Sequence, residues 1–404
     1  MTLEELAGTE LTKGMLSLIE NNKAQPSIES LNYIAKRLGV EVGELLEEVS
    51  TQELRDLLEK VEKIYTSIVK IEESEKYFTQ VIDLVTPYID KLSKNYESAR
   101  LLDLYGRCLY NLKKDGWQPF IERAADIYVE MKLSARRADI ARFYSGVEMN
   151  NRNYEKSLEI LIKERKQIES AYPFIDPTTR LNFDYFEAVL LLAVGHVDRA
   201  ITVLENGIEY SKQHKIFYRI NDLYRLYGAY ALLYQDEEKL QYYAQKLKLY
   251  GEFADDKDSV YLYYILQAEL LMFRDEDYEG AYRVVQPLIQ DIEDLDEVSP
   301  YNLLTAGKAL YGLKRFEEAL TILEKAHEHV PDYLHHPYDL ALVYSIDIYR
   351  ALCYLEFANF EKAMECARTA VKNIDSIPET PLNAFIHEKF EEIKDGIIKA
   401  AIDK

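Results

Sequence analysis

The chain has 404 residues, 48% apolar and 30% charged, which is too apolar for disorder and long enough for a large core. Gly (15) and Pro (11) together make about half their usual share, which argues against an all-β protein built on tight turns. Three cysteines exclude a disulfide scaffold. The balance of 49 basic to 71 acidic residues excludes a general polyanion binder, so any nucleic-acid contact needs a small, locally basic face.

The first fifty residues read as four short helices. Thr2 and Glu5 make a capping-box start for the first, which turns Leu3 and Leu6 inward and is broken at Gly8-Thr9. Thr12 caps the second, with Met15, Leu16 and Ile19 on one side, and Asn21-Asn22 ends it as Asn does at left-handed positions. Pro26-Ser27 opens the third, whose apolar stripe is Ile28, Leu31, Ile34, Ala35 and Leu38. Gly39 stops it, and Val42, Leu45 and Leu46 form the fourth. Residues 1–50 carry four basic and nine acidic side chains, yet within 11–37 the sign reverses, with Lys13, Lys23, Lys36 and Arg37 against Glu20 and Glu29.

Segments 2–7, 16–23, 26–27 and 34–40 together resemble the phage-repressor (XRE) class of helix-turn-helix domains. The resemblance implies a DNA-binding unit over 1–48, with 12–21 as the recognition helix in the major groove. It places Thr12, Lys13, Gly14, Met15, Ser17, Asn22 and Lys23 against bases or phosphates. Members of the class carry a further, commonly basic helix ahead of this motif, and the unit is expected to lack it.

Ser50 and Glu53 open a linking helix over 50–72, with Leu54, Leu57, Leu58, Val61, Ile64, Ile68 and Ile71 inward. From there the sequence repeats. An aromatic-acidic pair precedes a small residue at Tyr154–Ser157, Tyr278–Ala281, Phe316–Ala319 and Phe360–Ala363, with weaker members ending at Ala124, Ala200 and Leu240. Small residues stand twelve positions earlier at Ala188, Gly228, Gly307 and Ala351, which lets two helices approach closely. This pattern resembles the tetratricopeptide repeat over 73–380, with 381–404 as a capping helix. The expected fold class is all-α: a small helix-turn-helix unit followed by a right-handed solenoid.

The first helices of such repeats line a groove. Asn182, Asn221 and Asn302 lie at nearly equal distances before their repeat columns, and a carboxamide can pair with both groups of an extended peptide backbone. Tyr185, Arg219, Arg225, Tyr261, Tyr264 and Tyr344 flank them, and part of the excess of 33 tyrosines suits such a groove. No enzyme motif is present, and neither catalytic residues nor a cofactor is expected. His327, His329, His335 and His336 cluster around Pro331 without a completing ligand set and read as a loop, not a metal site. Cys108, Cys353 and Cys366 read as buried packing residues, and Glu72, Glu73 and Glu75 as a solvated face. The residues after Met1 are neither basic nor apolar, and the longest apolar stretch, Ala188–Val194, is far short of the roughly 20 residues a membrane span needs. A cytoplasmic protein with no membrane partner is expected.

The whole architecture resembles the Rap, NprR and PlcR group of peptide-pheromone receptors of Gram-positive bacteria. That resemblance implies a homodimeric regulator whose groove binds a short signalling peptide and whose N-terminal unit binds double-stranded DNA. The alternative is an adaptor that binds a partner protein, such as a response regulator, without DNA.

Overall fold

The computed structural model describes residues 1–21, 23–40, 42, 45, 49–67, 74–289, 298–328 and 336–402. Asn22, Leu46, Ile68, Ile71, Glu72, Glu73, His329, Pro331 and His335, named above, lie outside them. Among the described residues every regular element is helical. Contacts divide the chain into two compact units, Met1–Ile140 and Ala141–Lys404.

The first unit begins with α1 (Leu3–Ala7), α2 (Lys13–Glu20) and α3 (Ile28–Leu38). Their ends follow the capping chemistry of the sequence. The Thr2–Glu5 box is complete, Thr12 accepts from the Met15 amide, Ser27 accepts from the Ser30 amide, and Gly39 closes α3 in the left-handed region at φ 71°. Asn21 differs from expectation: it ends α2 at φ −93°, and its carboxamide donates to the Ser17 carbonyl instead. Ala7, Leu16 and Ile34 form a small core with Leu3, Leu6, Leu11, Ile19 and Leu45 around it. Ile28 departs from the apolar stripe and stands 76% exposed, being the first residue of its helix and outside the packed face.

The linking helix α4 (Thr51–Thr66) buries Leu54, Leu57, Leu58 and Val61. It packs on α5 (Ser74–Val85) and α6 (Tyr96–Asn111), and α6 pairs with α7 (Gln118–Glu130). On α6 the fully buried Asp103 is held between Arg100 (2.9 Å) and Arg107 (2.5 Å), which satisfies both carboxylate oxygens. The helix α8 (Ser134–Asn150) spans the boundary between the units.

The second unit is a run of antiparallel pairs: α9 (Tyr154–Ala171), α10 (Pro177–Ala193), α11 (Val197–His214), α12 (Ile220–Leu233), α13 (Glu237–Ala254), α14 (Lys257–Asp275), α15 (Tyr278–Val285), α16 (Pro300–Gly312), α17 (Phe316–Glu328), α18 (Pro337–Glu356), α19 (Phe360–Ile374) and α20 (Pro381–Ile402). Each of α10, α12, α14, α16 and α18 packs on its own partner and also on the next first helix, through to α20. The first helices therefore make one continuous wall, a tetratricopeptide-like solenoid arrangement.

The twelve-residue column is where the helices of a pair touch. Ser145 and Ser157 occupy it on α8 and α9, where each hydroxyl reaches the other's backbone carbonyl and the two Oγ atoms lie 2.9 Å apart. At Gly307 a Cβ would come within 2.5 Å of Leu323, so only glycine allows that approach. The column is not small throughout: Glu269 stands twelve residues before Ala281 and Leu112 twelve before Ala124. A second regularity lies in the turns. Arg152, Gly195, Gln235, Glu276, Lys314 and Ala358 each stand five residues before the column's second member, and all have φ between 51° and 77°.

Candidate functional site

In the first unit, Thr12 fixes the start of α2 by accepting from Met15 N–H at 3.2 Å. Thr12, Lys13, Gly14 and Met15 are exposed, as is Lys23, while Ser17 is half-buried and Leu16 beneath them is buried. Lys13 meets Glu4 at 3.7 Å in an exposed pair that solvent screens. No acidic side chain of α2 occupies its first turn, so the positive end of its dipole is left with the polarity that favours phosphate.

In the second unit the wall gathers part of the expected groove set. Asn182 on α10 accepts from the Tyr218 hydroxyl (3.1 Å) and from Arg219 Nε (3.0 Å) through its carboxamide oxygen. The Arg219 guanidinium lies 5.1 Å from the Tyr185 ring and is anchored by Asp222 at 2.6 Å. Burial pushes the Tyr185 hydroxyl up from its ordinary pKa, and Asp222, Arg219, Arg225 and Asp339 all act on it, which draws these residues into one neighbourhood. Asn221 instead donates to Asp256 at 3.2 Å. Burial pushes the Asp256 carboxyl up, but hydrogen bonds from Ser259 and Asn221 outweigh it and hold it below its usual value.

The equal-spacing ladder of asparagines needs correction. Asn302 is 5% exposed, with its carboxamide oxygen buried and unpartnered, because the start of α16 turns that position into the core. Tyr261 is exposed and Tyr264 half-buried on α14, and Tyr344 packs against the buried residues of α16–α19. The structure thus brings Asn182, Tyr185, Arg219 and Arg225 together and turns Asn302 into the core, while Tyr344 is half-buried.

Further along the wall a cavity of roughly 430 Å³ lies among α12, α14, α16, α18 and α20, lined by apolar side chains including Met272, Phe273, Leu342 and Phe385. Its charged members are paired. Glu269, 9% exposed, bonds Lys308 and accepts from Thr305 at 3.2 Å, and Lys389 meets Glu392 at 2.8 Å. Burial presses the Lys308 ammonium toward neutrality, but Glu269 and the Tyr349 ring more than offset it, so its pKa stands above that of an ordinary lysine. The sequence reading passed over this pair, although a full-length acid in a column of small residues was the signal for it.

Two further contacts join first helices that are far apart in sequence. His336 Nε2 donates to the Val189 carbonyl on α10 (3.0 Å), and its Nδ1 accepts from the Tyr338 amide (3.2 Å) at the start of α18. The Tyr338 and Tyr234 hydroxyls lie 3.4 Å apart. Burial presses the His336 imidazole below its ordinary pKa, while Asp339 and the Val189 carbonyl pull the other way. His327, on α17, meets Asp347 at 3.0 Å. The three cysteines are buried, with burial pushing the thiols of Cys108 and Cys353 up to about 12 and that of Cys366 to about 11.

No protein-family model matches the chain, and no curated protein sequence matches it. Among solved structures it is similar to PlcR of Bacillus thuringiensis in complex with the peptide PapR7 and DNA, at 17% identity and a TM-score of 0.33, over 64% of this chain and 94% of that one. It is also similar to the TPR2AB domain of yeast Sti1 in a pHSP90 complex (18%, 0.25, 64% and 98%) and to the P58(IPK) TPR domain (15%, 0.28, 86% and 99%). No described helix is long and apolar enough to cross a membrane.

Proposed function

We propose that the chain is a transcriptional regulator whose helical-repeat groove binds a short signalling peptide and whose N-terminal unit contacts double-stranded DNA as a homodimer. The observation that carries this reading is the wall of first helices, with Asn182, Tyr185, Arg219 and Arg225 converging on one stretch of it. Carboxamide, guanidinium and tyrosine groups on one rigid face suit an extended backbone and its side chains. The exposed N-terminal end of α2 beside Lys13 suits phosphate, Lys23 adds a cation beyond the helix's other end, and with so few cations two copies on one operator supply the affinity that one lacks.

Calorimetry with peptides encoded beside the gene tests the groove. Binding in the micromolar range is expected, weakened about tenfold or more by Arg225→Ala, an exposed change that leaves the Asn182–Arg219 contact in place. Uptake of none of these peptides would count heavily against a peptide receptor. A gel shift with operator-sized duplexes separates this reading from the partner-binding adaptor. Sequence-specific retardation that falls with salt supports the regulator, and none at low salt supports the adaptor.

A further inference from the structure

The second helix of one repeat differs from its neighbours on the outward side. Helix α13 buries Leu240, Tyr243, Ala244, Leu247 and Gly251 and packs on α12 and α14. Tyr242, Lys246, Leu249 and Phe253 recur at helical spacing on the opposite side. Tyr242, Leu249 and Phe253 are exposed, and the Lys246 ammonium lies 5.2 Å from the centre of the Tyr242 ring. Phe217, in the turn before α12, extends the stripe, its ring centre 6.0 Å from that of Phe253. At the same four positions α11 carries Thr202, Asn206, Glu209 and Gln213, and α9 carries Glu159, Lys163, Lys166 and Ser170, all exposed. The outward face is thus polar in these neighbours, and its apolar replacement on α13 adds little to packing within the chain.

We propose that this stripe is the surface through which two copies of the chain pair about a two-fold axis, with Leu249 at the axis. The proposal rests on the regulator reading only for the expectation of a homodimer, which it locates. Charge selects a second copy as the occupant. The chain carries a net charge of -22, so two copies repel wherever acidic surfaces meet. Along α13, Glu237, Glu238 and Glu252 are balanced by Lys239, Lys246 and Lys248, which leaves a neutral strip where a second acidic molecule can settle. Area agrees. Tyr242, Leu249, Phe253 and Phe217 are between 46% and 76% exposed, and at about 150–250 Å² for a large side chain they leave roughly 400 Å² of apolar surface per copy. Two such patches make about 800 Å², which at the roughly 65% apolar share of homodimer interfaces implies about 1,200 Å² in all, the lower bound for a stable pair. Leu249 lies between Tyr242 and the Phe217–Phe253 pair, so antiparallel stripes centred on it set Tyr242 of each copy against the aromatic pair of the other.

Sedimentation equilibrium of the full chain, without peptide or DNA, tests this. A monomer–dimer equilibrium in the micromolar range is expected. Leu249→Glu and Leu249→Lys should each weaken it about a hundredfold or more and leave the helical content by circular dichroism unchanged, since the side chain is exposed. An equimolar mixture of the two should pair again, because a contact at the axis sets the glutamate of one against the lysine of the other. Glu209→Ala, on the matching face of α11, should leave self-association as it was. A wild-type chain still monomeric at about 100 μM, a dimer that survives both Leu249 substitutions, a mixture that stays monomeric, a loss of pairing in Glu209→Ala or a loss of helix in both Leu249 variants would each overturn the proposal. A dimer that survives both substitutions would leave the homodimer of the regulator reading standing, and specific retardation of an operator by a monomeric chain would leave its DNA contact standing.

Discussion

Glu269 and Lys308 take two charges out of water between neighbouring first helices, with Glu269 at a column where most other repeats place alanine, glycine or serine. Each ion loses hydration worth several kcal/mol, so the pair holds only while both members are present. Glu269→Ala should therefore lower stability by about 3 kcal/mol by stranding Lys308, and adding Lys308→Met should restore most of it; thermal melts of the three proteins measure this. If the double variant melts as low as the single one, the pair is not the cause. At this scale the sequence was partly legible. The sequence singled out Asn182 by its place before the column and Arg219 as its flank, and the two are bonded, but a partner 36 or 39 residues away, as for Thr305 and Lys308 with Glu269, depends on which neighbouring helix faces it. Asn302 was misplaced because a shift of a few positions along a helix turns a side chain from groove to core.

The helices themselves were legible where capping chemistry writes their ends. Asp176 shows how much one cap gathers: it accepts from the Thr179 amide and from the hydroxyls of Thr178 and Thr179 at the start of α10. Burial pushes this carboxyl up, but those hydrogen bonds outweigh it and hold it below its ordinary value. A lowered folded-state pKa gives stability that is present above the unfolded value of about 3.9 and is lost as pH falls through the folded one. Asp176→Ala should thus cost about 1 kcal/mol at pH 7 and progressively less in acid below about pH 4, read from melting temperatures at both ends. An equal cost at both ends would show that packing, not ionisation, sets the effect. The same reasoning explains Asn21, whose side chain satisfies the Ser17 carbonyl and so removes the need for a left-handed backbone.

At the scale of the whole molecule, spacing revealed the repeats because each pair must bring two small residues together, and Ser145 with Ser157 shows that contact directly. The contact at His336 was not legible. Its partners are more than a hundred residues apart, and nothing in local periodicity encodes which helices meet after the wall has curved.

The recurrent turns bear on why glycine is so scarce. Of the six residues that stand five before the column's second member in the left-handed region, five are not glycine. An L side chain there costs about 1–2 kcal/mol, against roughly 0.5–1 kcal/mol of chain entropy for glycine. Replacing Arg152, Gln235, Glu276, Lys314 and Ala358 by glycine should therefore raise stability by a few tenths to about 1 kcal/mol each. The effects should nearly add, since the turns lie in separate repeats. Melting curves of the single and combined variants check this, and unchanged or lowered midpoints would refute it. Natural hairpins left this far from their optimum can loosen one at a time, so compliance is spread along the array instead of residing in one hinge.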